Sequence, residues 1–349
     1  MQLPRTDPYF LGFDEAGNGW GLSSDDRTHM AIFGQPGQGK STLLLSLMVD
    51  NAAHDEGLLL IDPHDDLKRG AEGLFSPDIT LPSQGISVDP LPLGWPSSSF
   101  LLDSLRRYYG NDWGPRLEMI FRNAMKVSFV RSVFDLRDFL EDPRGLNGER
   151  EEVKKFWTWV YPRLERGSES SVLNKLDKLV SDEHALNFLN GAPLELTEMM
   201  DKGKKILISL DEGSLGSDLS SFIGSLILGH AYRAGMSRKD RAPFFVYVDE
   251  AHRFSWSELE IAMASLRKRG VFFSVASQSL EQFAGNTDPL SFSDTVAAFS
   301  VSPHTSRSLY PLFSPLGADF LASMPKHEFA LRTASGGGLS AILYTAILG

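Results

Sequence analysis

Ala31-Ile32-Phe33-Gly34-Gln35-Pro36-Gly37-Gln38-Gly39-Lys40-Ser41-Thr42 is the stretch on which the reading of this chain turns. Gly34 to Ser41 completes the pattern Gly-x-x-x-x-Gly-Lys-[Ser/Thr] of a phosphate loop. An apolar run precedes it, and Leu43, Leu44, Leu45, Leu47 and Met48 follow as a helix. Strand, Gly-rich turn and helix in that order are the context the pattern needs. Backbone N–H groups of such a turn cradle phosphate oxygens, and the helix N-terminus adds its positive end. Gly34, Gln35, Pro36, Gly37, Gln38, Gly39, Lys40, Ser41 and Thr42 are therefore the expected contacts to a nucleoside triphosphate. Lys40 can reach the β- and γ-phosphates, and Ser41 can offer its hydroxyl to Mg²⁺. A purely structural glycine turn is the competing reading.

A second apolar run, Phe244-Phe245-Val246-Tyr247-Val248, ends in Asp249-Glu250. A carboxylate at the carboxyl end of a strand beside a phosphate loop is where the Mg²⁺ shell needs an anchor, which suits Asp249. Glu250, one residue on, can orient or deprotonate an attacking water. A helix-capping acid pair is the alternative. Val271–Ala276 is a further strand, followed by Ser277 and Gln278. A polar side chain there can touch the γ-phosphate or its water, unless Gln278 merely caps the next helix.

Outward from these motifs the chain divides into four stretches. Residues 1–28, rich in Gly and Asp with Tyr9, Phe10, Phe13 and Trp20, suggest a small hairpin. Residues 29–96 hold the phosphate loop and the strand Leu58–Ile61. In 97–195 strand signals vanish and apolar residues recur at helical spacing, notably over 115–127, 151–161 and 170–180, with a loop at 144–150. This reads as an all-helical insertion. In 196–349 the α/β alternation resumes with strands at Ile206–Leu210, Phe244–Val248, Val271–Ala276 and Thr295–Ser300, and a helix at Leu219–Ala234. A hairpin at Glu328–Arg332 and Leu339–Ala346 closes it.

Composition narrows the functional classes. The 349 residues are 42% hydrophobic, enough for a large α/β domain plus a smaller module. Cysteine is absent, so disulfides, thiol nucleophiles and Cys-ligated zinc are excluded. No apolar run approaches the ~18 residues of a membrane span, and the first residues lack the pattern of a signal peptide; a soluble, cytoplasmic protein is expected. A net charge of −11 argues against a surface that coats nucleic acid, though not against a local basic strip. Arg106, Arg107, Arg116, Arg122, Lys126 and Arg131, interleaved with Tyr108, Tyr109 and Trp113, are the candidate strip; an ordinary amphipathic helix is the alternative.

In order, these segments resemble the HerA/FtsK superfamily of RecA-like motor ATPases, and within it the TraG/TraD-like coupling proteins, the conjugative DNA pumps of type IV secretion. Ile61-Asp62-Pro63-His64-Asp65-Asp66-Leu67 resembles a strand-end string of that branch, with Asp65 where relatives have Gly. Gly114-Pro115-Arg116-Leu117-Glu118, Arg122-Asn123-Ala124, Phe156-Trp157, Val172–Leu176 and Met200–Leu210 are similar to further strings. Leu266-Arg267-Lys268-Arg269-Gly270, followed by Ser277-Gln278, resembles its arginine segment and sensor glutamine. Gln35, Pro36 and Gln38 replace the usual small residues of the loop. The resemblance spans 28–333, without the membrane helices of coupling proteins or the N-terminal barrel of HerA-type helicases.

The resemblance implies a RecA-like (ASCE) P-loop sheet with helices on both faces and an inserted all-α domain. It implies an ATPase using ATP and Mg²⁺, assembled as a homo-oligomeric ring, usually a hexamer, with DNA held through the pore irrespective of sequence. Arg267 would then act on the γ-phosphate of a neighbouring subunit; its alternative is a solvated charge run. A relaxase, nuclease or secretion-channel protein is the implied partner, with membrane contact only through it. Three other readings compete: an ATP-switched scaffold or a defence or mobile-element module with slow turnover, a HerA-like helicase partner of a nuclease, and a P-loop kinase. The kinase is disfavoured, because Asp249-Glu250 supplies a water-activating acid.

Overall fold

The computed structural model describes residues 9–14, 16–23, 26–83, 85–94, 100–164, 169–254, 256–283, 289–333 and 339–344. The chain forms two compact units, one drawn from Met1–Thr80, Leu196–Leu210 and Ala234–Gly349, the other from Leu81–Glu195 and Asp211–Arg233.

Thirteen strands are present among the described residues: β1 (Tyr9–Phe13), β2 (Gly19–Leu22), β3 (Met30–Phe33), β4 (Gly57–Asp62), β5 (Ile79–Leu81), β6 (Gly85–Ser87), β7 (Gly191–Pro193), β8 (Lys205–Ser209), β9 (Phe244–Val248), β10 (Val271–Ser277), β11 (Thr295–Ala298), β12 (Glu328–Arg332) and β13 (Leu339–Tyr344). Eleven of them form one sheet in the order β2-β1-β13-β12-β11-β3-β10-β9-β4-β8-β5. From β11 to β8 neighbouring strands run parallel. These strands are continuous apolar runs, and β3, β4, β9 and β11 are buried at every position. That pattern is what a parallel sheet covered on both faces requires. β12, β13, β1 and β2 extend it as an antiparallel wing.

Leu43, Leu44, Leu47 and Met48 of helix Lys40–Ala53 share one core cluster with Leu58, Leu60, Tyr247 and Ala276 of the strands. Under this core lies Arg27, only 1% exposed, a residue the sequence gave no reason to single out. Its guanidinium donates to the Tyr247 hydroxyl at 2.6 Å and the Ser274 hydroxyl at 3.2 Å, and lies 4.4 Å from the Phe245 ring centre. Tyr247 in turn donates to Asn51, which donates to Glu56 at 2.7 Å. A buried cation is tolerable only when hydrogen-bonded in this way. The network ties the segment before β3 to helix Lys40–Ala53 and to β9.

Among the described residues the second unit is helical apart from the short parallel pair β6–β7. The stretch read as one helix over 151–161 is an α-helical turn at Glu151–Lys155, a π-helical turn at Phe156–Val160 and a 3₁₀ turn at Tyr161–Arg163. Pro162 lacks the N–H that continued α-helix would need. Helix Glu212–Ser237 begins earlier than expected, running through a break at Gly216, whose φ of 74° glycine accepts. The candidate basic strip is largely built into the unit's own packing. Tyr109 is buried, Trp113 stacks on Phe121 at 5.5 Å, and Arg106 and Arg122 share the Glu118 carboxylate. The amphipathic reading therefore replaces the expected base-stacking platform for these side chains.

Candidate nucleotide site

Register brings the carboxyl ends of the central strands into line. Phe33 pairs with Ser277, Val275 with Val248 and Val248 with Ile61. Gly34, Gln278, Asp249 and Asp62 therefore leave the sheet along one edge, where open α/β sheets bind ligands.

The phosphate loop hangs between its neighbours. Gly34 N donates to Ser277 O at 3.3 Å, and Gln35 N to Ser300 O at 2.8 Å. A Cβ on Gly34 would lie 2.7 Å from Phe299 Cβ. On Gly39, at φ +124°, it would lie 2.8 Å from Phe299 Cε1 and 3.1 Å from His327 Nδ1. Glycine at both positions is thus set by packing as well as by the turn. Gly39 caps helix Lys40–Ala53 without a side-chain hydrogen bond, so no side chain of the cap takes the first-turn N–H groups. Ser41 is exposed in that first turn.

Lys40 is buried and folds across the loop, its Nζ donating to Gly34 O at 2.7 Å and Gln35 O at 3.3 Å. Burial lowers its pKa, while the Glu250 and Asp249 carboxylates oppose the shift. Asp249, also buried, accepts a hydrogen bond from Glu250 N at 3.0 Å. Burial pushes its carboxyl up to about 7, helped by the charges of Glu250 and Asp62 and opposed by Lys40. Glu250 sits at φ 45°, a left-handed conformation uncommon outside glycine. Its Oε1 accepts from Gln278 Nε2 at 3.2 Å, and its buried Oε2 has no hydrogen bond, with His252 Nδ1 3.4 Å away. His252 Nδ1 is also 3.1 Å from the Ser277 hydroxyl.

The structure thus brings Gly34–Thr42, Asp249, Glu250 and Gln278 to one edge. Arg267 is placed elsewhere. It lies in the turn Arg267–Arg269 at the amino end of β10, paired with Asp294. The seven residues of β10, at about 3.3 Å each, put about 20 Å of strand between it and this chain's own phosphate loop. Arg238, another arginine near the Asp249 strand, is a brace: it donates to Ala242 O at 2.8 Å and pairs with Asp201.

Three residues at the edge were not read as site residues from sequence. Asp62 is fully buried and accepts from His64 N and Lys68 N at 2.9 and 3.0 Å; burial raises its pKa. An acid at the carboxyl end of the strand next to β9 was the available signal. His252 follows Glu250 by two residues. His327, at φ 67°, donates its N–H to Gln38 O at 2.8 Å, and nothing local in the sequence marks it. Of the four non-glycine residues with positive φ among the described residues, Asp65, Glu250 and His327 all follow or precede strands at this edge. Such strain clusters at functional sites.

Residues 22–229 match the family described as Helicase HerA, central domain. The chain belongs to that family. The HerA-family fold extends to solved structures at low identity. VirB4 of Thermoanaerobacter pseudethanolicus superposes with a TM-score of 0.72 at 14% identity, over 100% of this chain and 98% of that one. The bacterial conjugative coupling protein TrwB, in an unbound form, gives 0.70 at 16% identity over 97% of this chain and 89% of that one. TrwB in complex with ADP and Mg²⁺ gives 0.70 at 16% identity over 97% and 90%. At these identities the likeness is one of fold. No curated protein sequence matches the chain. No helix among the described residues is long and apolar enough to cross a membrane.

Proposed function

We propose that this HerA-family chain is an ATP-hydrolysing motor that works as a ring on DNA. The observation that carries the reading is the convergence of the phosphate loop, Lys40, Asp249, Glu250 and Gln278 on one edge of a parallel sheet. Backbone N–H groups of Gly37 to Ser41 and the helix start bind the phosphates, and Lys40 supplies the counter-charge.

The residues fit Mg²⁺. Asp249 and Glu250 set two buried carboxylates beside the Lys40 ammonium, and burial first, then the charges of Glu250 and Asp62, raises the pKa of Asp249. Ser41 and Asp249 would hold the ion, leaving most of its shell to phosphates and water, as Mg²⁺ prefers. When bound, it neutralises charge on the phosphate oxygens. Glu250, oriented by Gln278, has an Oε2 without a hydrogen bond that can accept a proton from water. TrwB's complex with ADP and Mg²⁺ supports the same ligands here.

Arg267 lies at the opposite end of β10 from its own chain's loop, so on this reading its part in hydrolysis would be on a neighbouring protomer. That geometry favours a ring over a self-sufficient monomer. DNA would be gripped through phosphates, without sequence preference. The cytoplasm supplies both ATP and DNA, and a relaxase, nuclease or secretion-channel protein would direct the motor; an ATP-switched scaffold is the second reading.

Nucleotide binding and turnover in two variants test the site. Lys40→Ala should lose affinity for ATP. Glu250→Gln should bind ATP as the wild type does and hydrolyse it about 10²–10⁴-fold more slowly, the usual contribution of a general base. Wild-type turnover by Glu250→Gln would remove Glu250 from that role.

A further inference from the structure

A cavity of about 490 Å³ lies within the helical unit. Clefts of this size hold small ligands. Leu91, Met125 and Val130 form an apolar part of its wall, and Lys126, Arg131 and Arg150 bring three cations to it. This local excess of positive charge stands in a chain of net charge −11.

The carboxylates nearby are already engaged. Glu149 is buried, and its Oε1 accepts from Ser128 N at 2.8 Å and from the Ser128 hydroxyl, which fixes the turn carrying Lys126 and Arg131. Asp135 accepts from Arg131 N at 2.9 Å. Glu152 lies 3.3 Å from Arg150, an exposed and screened pair. The Lys126 ammonium and the Arg131 guanidinium have no ion-pair partner among the described residues, and Arg131 Nε is directed by Ser128 O at 3.1 Å. The wall is therefore built by its acids and charged by its bases.

We propose that this cavity binds a nucleotide phosphate, with the arginine forks and Lys126 on the phosphate and the base against Leu91, Met125 and Val130. Arg matches phosphate geometry in two directions at once, and the apolar wall suits a base. The same chemistry has two sources, a free nucleotide or the phosphorylated end of a nucleic-acid strand. The proposal does not depend on ATP hydrolysis at the phosphate loop.

The test uses the full chain carrying Lys40→Ala, so that the phosphate loop does not compete. Fluorescence anisotropy would be read with mant-AMP and with labelled single-stranded DNA bearing or lacking a 5′-phosphate. Binding of either phosphorylated probe, weakened about tenfold or more by Lys126→Glu with Arg131→Glu, supports the proposal. Preference for mant-AMP assigns a free nucleotide, and preference for 5′-phosphorylated over 5′-hydroxyl DNA assigns a strand end. The same pair of substitutions on intact Lys40 should leave unstimulated ATPase and the circular dichroism spectrum unchanged. Binding insensitive to the charge reversal, no binding of either probe, or equal competition by a polyglutamate peptide would overturn it. Should Arg131→Glu unfold the unit, Arg131→Gln with Lys126→Gln keeps the comparison open, at a smaller expected loss.

Discussion

Asp249 carries the sharpest consequence of the site's electrostatics. Its carboxyl is pushed up to about 7, by burial first and then by Glu250 and Asp62. A carboxyl in the unfolded chain titrates near ~4. Between these values the folded protein holds a proton that the unfolded chain releases, so stability without nucleotide falls as pH rises from about 4 to 7 and then levels. Asp89 and Asp50, pushed up by burial to about 7 and about 6, add slopes of the same sign. The measurement is therefore a difference: melting temperature against pH for wild type and Asp249→Asn. The variant should show the shallower fall and be the more stable of the two near pH 8. Identical slopes would mean that Asp249 is ionised throughout the range. Binding of Mg²⁺ with nucleotide should strengthen as pH rises through 7 in the wild type alone.

At the scale of elements, the phosphate loop is held from three sides, by the Ser277 carbonyl, by the Ser300 carbonyl and by the Phe299 and His327 side chains. Gly39→Ala would set a methyl 2.8 Å from Phe299 and 3.1 Å from His327 at a φ of +124°. We expect it to lower ATP affinity by at least about tenfold, since a strained left-handed non-glycine conformation costs of order 1–3 kcal/mol. Melting should stay cooperative but move to a lower temperature, because Phe299 is fully buried in the core cluster and has to give way. Titration calorimetry on a variant that melts cooperatively decides it; unaltered affinity would show that the loop tolerates displacement.

The same element shows what the sequence could convey. Gly34–Thr42, Asp249 and Glu250 each lie in a contiguous string whose chemistry is local, so spacing alone exposed them. Parallel strands were legible because burial on both faces leaves unbroken apolar runs. Phe299 and His327 approach the loop from segments more than two hundred residues away, by strand order alone. Nothing in a one-dimensional pattern encodes that approach. Arg27 was hidden for a related reason: an isolated arginine reads as surface until the strands that surround it are placed.

For the whole molecule, Arg267 and the phosphate loop stand at opposite edges of one sheet, and a catalytic arginine must come within hydrogen-bond reach of the γ-phosphate. In the proposed ring, one protomer's amino edge would have to meet the next protomer's loop. Turnover should then rise with protein concentration and with added DNA, and fall steeply between ~50 and ~200 mM salt, because each counterion released from a phosphate contact gains less entropy as bulk salt rises. Arg267→Ala should bind ATP and assemble, yet lose stimulated turnover, a term worth about 10³-fold or more in related nucleotide hydrolases. Mixed with Lys40→Ala protomers it should regain activity, because some interfaces then pair an intact loop with an intact arginine. Asp294, which holds Arg267 in the free chain, supplies a control: Asp294→Asn leaves both halves of the site in place and should preserve the mixing result. If a stable monomer turns over ATP independently of DNA and protein concentration, Arg267 has no neighbour to serve, and the nucleotide-switched scaffold becomes the better account of this site.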